Sequence, residues 1–203
     1  MEITASMVKA LREATGAGMM ECKKALSETG GDVEAAKKVL RERGLAGVKG
    51  RAGRSANDGL VEVYLHAPDA SLPAKLGVLI ELNCETDFVA KTPDFRKLAR
   101  DIAMHIAAAN PAYVTGEEIP EDVLEAEKAI YAKQAEDKPA GVVERMVEGK
   151  LKDFRKQFVL LEQEWVRDPS TTIGAMIDSA SAKMGEKVAI RRFARFRVGA
   201  ESA

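Results

Sequence analysis

Apolar positions along this chain recur first at helical spacing, then at strand spacing, then at helical spacing again. Near the start, Met7, Val8 and Leu11 form a stripe behind Thr4, a side-chain cap. Thr15-Gly16-Ala17-Gly18 interrupts it, Met20, Ala25 and Leu26 continue a second helix, and Gly30-Gly31 breaks that in turn. Asp32 then caps a third stripe of Val33, Ala36 and Leu40 that stops before Gly44. Three helices in about forty residues make a minimal bundle whose interior is needed for packing. Met19 and Met20 fall at a helix start after a glycine-rich turn, where adaptable methionines suit either a core or an exposed binding surface.

From Gly47 to Gly59 large apolar side chains nearly vanish, which predicts a linker over 47–58. Its Lys49, Arg51 and Arg54 read as a solvated basic stretch, and its glycines lack the Gly-Lys-Ser/Thr ending of a phosphate loop. Strand spacing follows. Val61, Val63 and Leu65 share one face of a run ending at His66, and Ala67 to Pro73 turns the chain. Leu76, Val78, Ile80 and Leu82 then alternate with Gly77, Leu79, Glu81 and Asn83, so the two runs predict an antiparallel hairpin. Thr92, Pro93 and Asp94 are a strong helix start, with Phe95, Leu98, Ala99, Ile102, Ile106 and Ala109 at helical spacing behind them. Between strand and helix hangs the corner Asn83-Cys84-Glu85-Thr86-Asp87-Phe88-Val89-Ala90-Lys91. Two readings of it stay open here: Phe88 as a core plug beside a turn-capping Asp87, or the pair as a wedge aimed into a partner.

Asn110-Pro111 stops that helix, and Tyr113-Val114 is expected to be extended. A helical hairpin is predicted over about 120–162, broken at Lys138-Pro139-Ala140-Gly141. Its second arm carries Val143, Met146, Val147, Leu151, Phe154, Phe158 and Leu161. Trp165 and Val166 are expected in a loop, and Asp168-Pro169 is expected to start another helix with Ile173, Met176, Ile177 and Ala180 inward, closed by Gly185. The chain then ends in a strand from about Lys187 to Val198. One parity carries Val188, Ile190, Ala194, Phe196 and Val198, interrupted by Arg192; the other carries Arg191, Phe193, Arg195 and Arg197. Read as a half-buried strand, it places the apolar parity inward and a basic face outward. A single-strand stacking platform is the alternative. The class is α+β, a three-helix bundle followed by a small antiparallel sheet packed with helices and a long helical hairpin.

Composition narrows the activity. The 203 residues hold 31 basic and 32 acidic side chains, net −1, which argues against a general nucleic-acid binder. Two cysteines, Cys22 and Cys84, and two histidines, His66 and His105, make neither a disulfide framework nor a zinc site, and a reducing cytoplasmic home is expected. Met1-Glu2-Ile3-Thr4 has no signal-peptide character, and no apolar run reaches the length of a membrane span. Nucleophile, metal and dinucleotide motifs do not occur, so an enzyme with bond chemistry is not expected, nor is a cofactor.

Several stretches carry a resemblance. Ile3-Thr4-Ala5-Ser6-Met7-Val8-Lys9 and Thr15-Gly16-Ala17-Gly18-Met19-Met20-Glu21-Cys22-Lys23-Lys24-Ala25-Leu26 are similar to the opening of the bacterial elongation factor Ts family. The corner 83–91 resembles that family's second signature, and Met146-Val147-Glu148-Gly149-Lys150-Leu151 and Arg195-Phe196-Arg197-Val198-Gly199 also match. The resemblance implies a ubiquitin-associated-like head over 1–46, a linker over 47–58 and an α+β core over 59–203. It implies guanine nucleotide exchange on elongation factor Tu, with Thr86, Asp87, Phe88 and Val89 disturbing the GTPase's magnesium and phosphate site. It further implies docking by Lys9, Arg12, Met19 and Met20. The chain resembles the short form, which implies a homodimer, with no direct nucleic-acid or membrane partner. The competing class is an adaptor that touches RNA through Arg191 to Arg197.

Overall fold

The computed structural model describes residues 3–67, 69, 71–136 and 138–200. Met1 and Glu2, Pro68 and Ala70 of the expected turn, and the last three residues of the expected core domain lie outside them. The described chain groups into two compact units. The first holds Met1–Gly59, Asn83–Ala90 and Ile177–Ala189; the second holds Leu60–Leu82, Lys91–Met176 and Ile190–Ala203. The first unit therefore draws the corner and a late segment to the residues of the three-helix head.

In the first unit, helices α1 (Ala5–Thr15), α2 (Met19–Glu28) and α3 (Val33–Arg51) form as their caps dictate. Thr4 Oγ1 accepts the Met7 N–H at 3.3 Å, and the Asp32 carboxylate accepts from Glu34 and Ala35. Gly16, at φ 70°, ends α1 by donating its N–H to the Arg12 carbonyl. Val8, Leu11, Cys22, Ala25, Leu26, Ala36 and Leu40 make one buried cluster. The expected linker is helical as far as Arg51. A helix interior asks only for main-chain hydrogen bonds, and each glycine costs about 1 kcal/mol, which tertiary packing overrides. Here that packing is visible: a Cβ on Gly44 would lie 3.0 Å from the Ala182 methyl, and Arg51 Nη2 donates to the Ser181 carbonyl.

Strands β1 (Asp58–His66), β2 (Leu76–Cys84) and β5 (Ala189–Arg197) form a three-stranded antiparallel sheet in the order β1-β2-β5. After β2 comes the single turn α4 (Asp87–Ala90), then α5 (Pro93–Ala109), whose Thr92 cap accepts the Phe95 N–H. In the second unit Val78, Ile80 and Leu82 of β2 and Phe95, Ala99, Ile102 and Ile106 of α5 are buried. Arg195 of β5 donates to the Ala107 carbonyl and Arg100 pairs with Glu62, so α5 covers this face of the sheet.

The helical hairpin is α6 (Glu121–Lys133) and α7 (Ala140–Phe158), followed by a 3-10 turn at Leu160–Glu162. No residue of α6 is fully buried, while the Phe154 and Phe158 rings pack at a tilt with their centres 4.7 Å apart. Tyr113 is extended as expected, bridging Val159 in parallel. Two expectations fail just beyond. Trp165 lies in β3 (Glu164–Trp165), paired antiparallel with β4 (Asp168–Thr172), and Asp168-Pro169 starts no helix. The Asp168 carboxylate spends its acceptor capacity on the N–H and hydroxyl of Ser170, a local turn that competes with capping. Helix α8 (Ile173–Met184) begins later, where Thr172 Oγ1 accepts the Ala175 N–H, and it ends at Gly185, φ 73°.

The final strand also departs from expectation. Ile190 is buried, but beyond it the even parity turns outward: Arg192 pairs with Glu81, and Phe196 and Val198 are 69% and 72% exposed. Gly77, Leu79 and Glu81 share that outer face, and a Cβ on Gly77 would touch Leu65 at 3.1 Å. The exposed Val61, Val63 and Leu65 therefore belong to it too. The outer sheet face is mainly apolar. The basic face predicted there does not exist, because Arg195 points inward to α5.

Candidate functional site: the corner between β2 and α5

Helix α4 is one turn long, and its main-chain bond from Ala90 to the Thr86 carbonyl measures 3.3 Å. On that turn Phe88 stands 80% exposed, while Ala90 is buried and Asp87 and Val89 are half-buried. The core-plug reading of Phe88 is thereby excluded. An exposed phenyl ring on a short, anchored turn beside a carboxylate is a protruding apolar point with an acidic flank.

The root of the corner is held by a reciprocal pair of carboxylates. Glu186 Oε2 accepts the N–H groups of Glu85 and Thr86 at 3.0 and 3.1 Å, and its Oε1 accepts the Thr86 hydroxyl at 2.6 Å. In return Glu85 Oε1 accepts the Lys187 N–H at 2.7 Å, and Arg54 pairs with the same carboxylate. The Lys187 N–H, then the Arg54 charge, hold the Glu85 carboxyl below the usual range. Lys187 Nζ in turn donates to the carbonyls of Ala52 and Arg54, just past the end of α3. Asn83 Nδ2 reaches the Ala56 carbonyl, and Cys84 Sγ donates to the Thr86 carbonyl. Burial, then the Glu186 charge, push the Cys84 thiol up, so it sits as an inert prop. The sequence pointed to Thr86, Asp87, Phe88 and Val89 as site candidates but not to Glu186, Lys187 and Arg54, which hold the corner's root. Their only local signal is an acid after a helix-ending glycine, which many surface loops share.

The expected docking residues lie elsewhere in the same unit. Lys9 and Arg12 are exposed on α1, Lys9 within 3.9 Å of Glu13. Met19 and Met20 are both exposed at the start of α2, Met20 the more so, which removes them from the core. His66 is exposed beside Tyr64, and His105 is fully buried against Gln163. Among the described residues no three His, Cys, Asp or Glu side chains converge as a metal site, and no helix is long and apolar enough to cross a membrane. Arg192 is paired with Glu81 and Arg195 is turned inward, so the arginines of β5 do not form one continuous stacking face.

The comparisons with known proteins agree with one another. A family model described as Elongation factor TS matches residues 7–200. The elongation factor Ts of Frankia alni is 56% identical over 97% of this chain and 98% of its own length. That of Coprothermobacter proteolyticus is 54% identical over 98% of this chain and 100% of its own. That of Caldanaerobacter subterraneus subsp. tengcongensis is 53% identical over 97% of each.

Proposed function

Since the chain belongs to the elongation factor Ts family, we propose that it is a guanine nucleotide exchange factor for elongation factor Tu, acting in the cytoplasm without bond chemistry of its own. The observation that carries this is Phe88, 80% exposed on a turn whose root is anchored by charged hydrogen bonds. Asp87 and Phe88 enter the GTPase beside its magnesium and phosphate site, with Thr86 and Val89 holding the turn. Magnesium requires near-ideal octahedral geometry, so a small displacement of its ligands weakens the grip on GDP. Docking through Lys9, Arg12, Met19 and Met20 supplies affinity that does not depend on the nucleotide.

The energetics are within reach. A thousandfold acceleration of release corresponds to about 4 kcal/mol. Burying the Phe88 ring supplies roughly 2 kcal/mol of it, and the rest falls to the Asp87 carboxylate and its neighbours. The coupling is reciprocal: GDP weakens this protein's hold on the GTPase by the factor that this protein weakens GDP's.

The test is release of a fluorescent GDP analogue from bacterial elongation factor Tu. Wild type accelerates release strongly, and Asp87→Ala with Phe88→Ala loses most of that, at least about tenfold for two anchor truncations. An unchanged rate in the double variant places exchange elsewhere on the surface, and no acceleration by wild type removes the reading altogether.

The homodimer implied by the short form also has a surface to rest on. The outer sheet face exposes Val61, Val63, Leu65, Leu79, Phe196 and Val198, apolar side chains where a solvated sheet face carries polar ones. A second copy of the chain is its occupant in this reading, since a two-fold contact pairs one apolar sheet with itself.

A further inference from the structure

We propose that Glu186 is a positioning residue for exchange: its carboxylate sets the angle of the Asp87-Phe88 turn, and the turn works at full rate only while that carboxylate holds it. The proposal rests on the exchange reading above and goes beyond it by placing control of the corner 100 residues away in sequence.

The geometry is that of a clamp rather than a chance contact. One carboxylate takes three hydrogen bonds, two from consecutive main-chain N–H groups and one from the Thr86 hydroxyl. These fall on the two residues immediately before α4, where the strand has ended and no ladder bond fixes the chain. On the other side Glu85 returns the contact to Lys187, and Lys187 Nζ fastens both to the carbonyls of Ala52 and Arg54. Residues 52–54, 85–86 and 186–187 thus close a ring of hydrogen bonds within one compact unit. Gly185, in the left-handed region at φ 73°, lets the chain leave α8 and present Glu186. Without Glu186, the Glu85 and Thr86 N–H groups and the Thr86 hydroxyl lose their shared acceptor, and Phe88, two residues on, shifts with Thr86. The ring stays exposed and able to dock; its direction is lost.

That distinction gives a readout. GDP release from elongation factor Tu is measured as a function of this protein's concentration. Glu186→Ala lowers the maximal release rate about tenfold, equal to roughly 1.4 kcal/mol, while the half-saturating concentration stays within about twofold. Glu186→Gln restores the rate, because its amide oxygen accepts both main-chain N–H groups and its NH2 donates to the Thr86 hydroxyl. Thr86→Val, which removes one hydroxyl and leaves the main-chain bonds, lowers the maximal rate by about threefold and tests the clamp even should Glu186→Ala fail to fold. Combined with Phe88→Ala, Glu186→Ala costs clearly less than the two single losses summed, since both act through the same turn. A wild-type maximal rate in Glu186→Ala or Thr86→Val, a Gln variant as slow as the Ala variant, or additive losses with Phe88→Ala would each overturn the proposal. Wild type without any acceleration sinks the exchange reading and this proposal together; an active wild type with an indifferent clamp sinks only the clamp.

Discussion

His105 is fully buried, and its two ring nitrogens are committed to different partners. Nδ1 accepts the Val166 N–H at 3.3 Å, and Nε2 lies 2.9 Å from Gln163 Oε1. Gln163 uses its amide NH2 on the Gln157 carbonyl, so its oxygen faces the ring and the proton sits on Nε2. A second proton on Nδ1 would confront a main-chain N–H. Burial lowers the imidazole's pKa, only partly offset by the Gln163 bond. Below about pH 6.5 the unfolded chain takes up a proton that the folded one refuses, so stability falls as pH drops through that value. Between pH 7.5 and 5.5 the loss attributable to His105 reaches at most about 1.4 kcal/mol. Urea unfolding of wild type and His105→Gln at both pH values checks this. Wild type loses more stability on acidification, and equal losses would clear His105 of the effect. The sequence alone does not say which histidine is buried; that depends on Gln163 and Val166, which flank β3, a strand the sequence did not predict.

At the scale of elements, caps were the most legible feature. Thr4, Asp32 and Thr92 each cap the helix they precede, because a cap is settled within one turn of chain. Asp168 was misread for a related reason: the same carboxylate chemistry serves a turn as readily as a helix start, and pairing with β3 decided between them. Helix α8 starts against the 3-10 turn Leu160–Glu162, where a Cβ on Gly174 would meet the Leu161 carbonyl oxygen at 2.8 Å. Main chain cannot step aside cheaply, so Gly174→Ala costs about 1–3 kcal/mol. Gly149, in the middle of α7, has open space around the same position, and Gly149→Ala gains up to about 1 kcal/mol of helix propensity. Thermal melting should move down for the first variant and up for the second. Shifts of the same sign would refute the packing account.

For the whole molecule, the outer sheet face makes the dimer testable. Sedimentation equilibrium of wild type should give twice the chain mass at assay concentrations. Leu65→Glu puts a charge within the proposed contact and should return the mass of a single chain, since an unpaired buried charge costs several kcal/mol. A wild type of single-chain mass would end the dimer proposal. Apart from the short pair β3 and β4, the order of the longer helices and strands, the α+β class and the position of the corner between β2 and α5 were present in the sequence. They follow from periodicity and from caps, which main-chain hydrogen bonding decides over a few residues. Tertiary structure alone decided the rest. It carried α3 through three glycines to Arg51, turned Phe196 outward, left Phe88 in solvent and brought Glu186 to the root of the corner. A strand's two-residue period says which side chains share a face but not which face another element covers. Likewise, one carboxylate among 32 acidic residues acquires three donors only when distant segments meet around it.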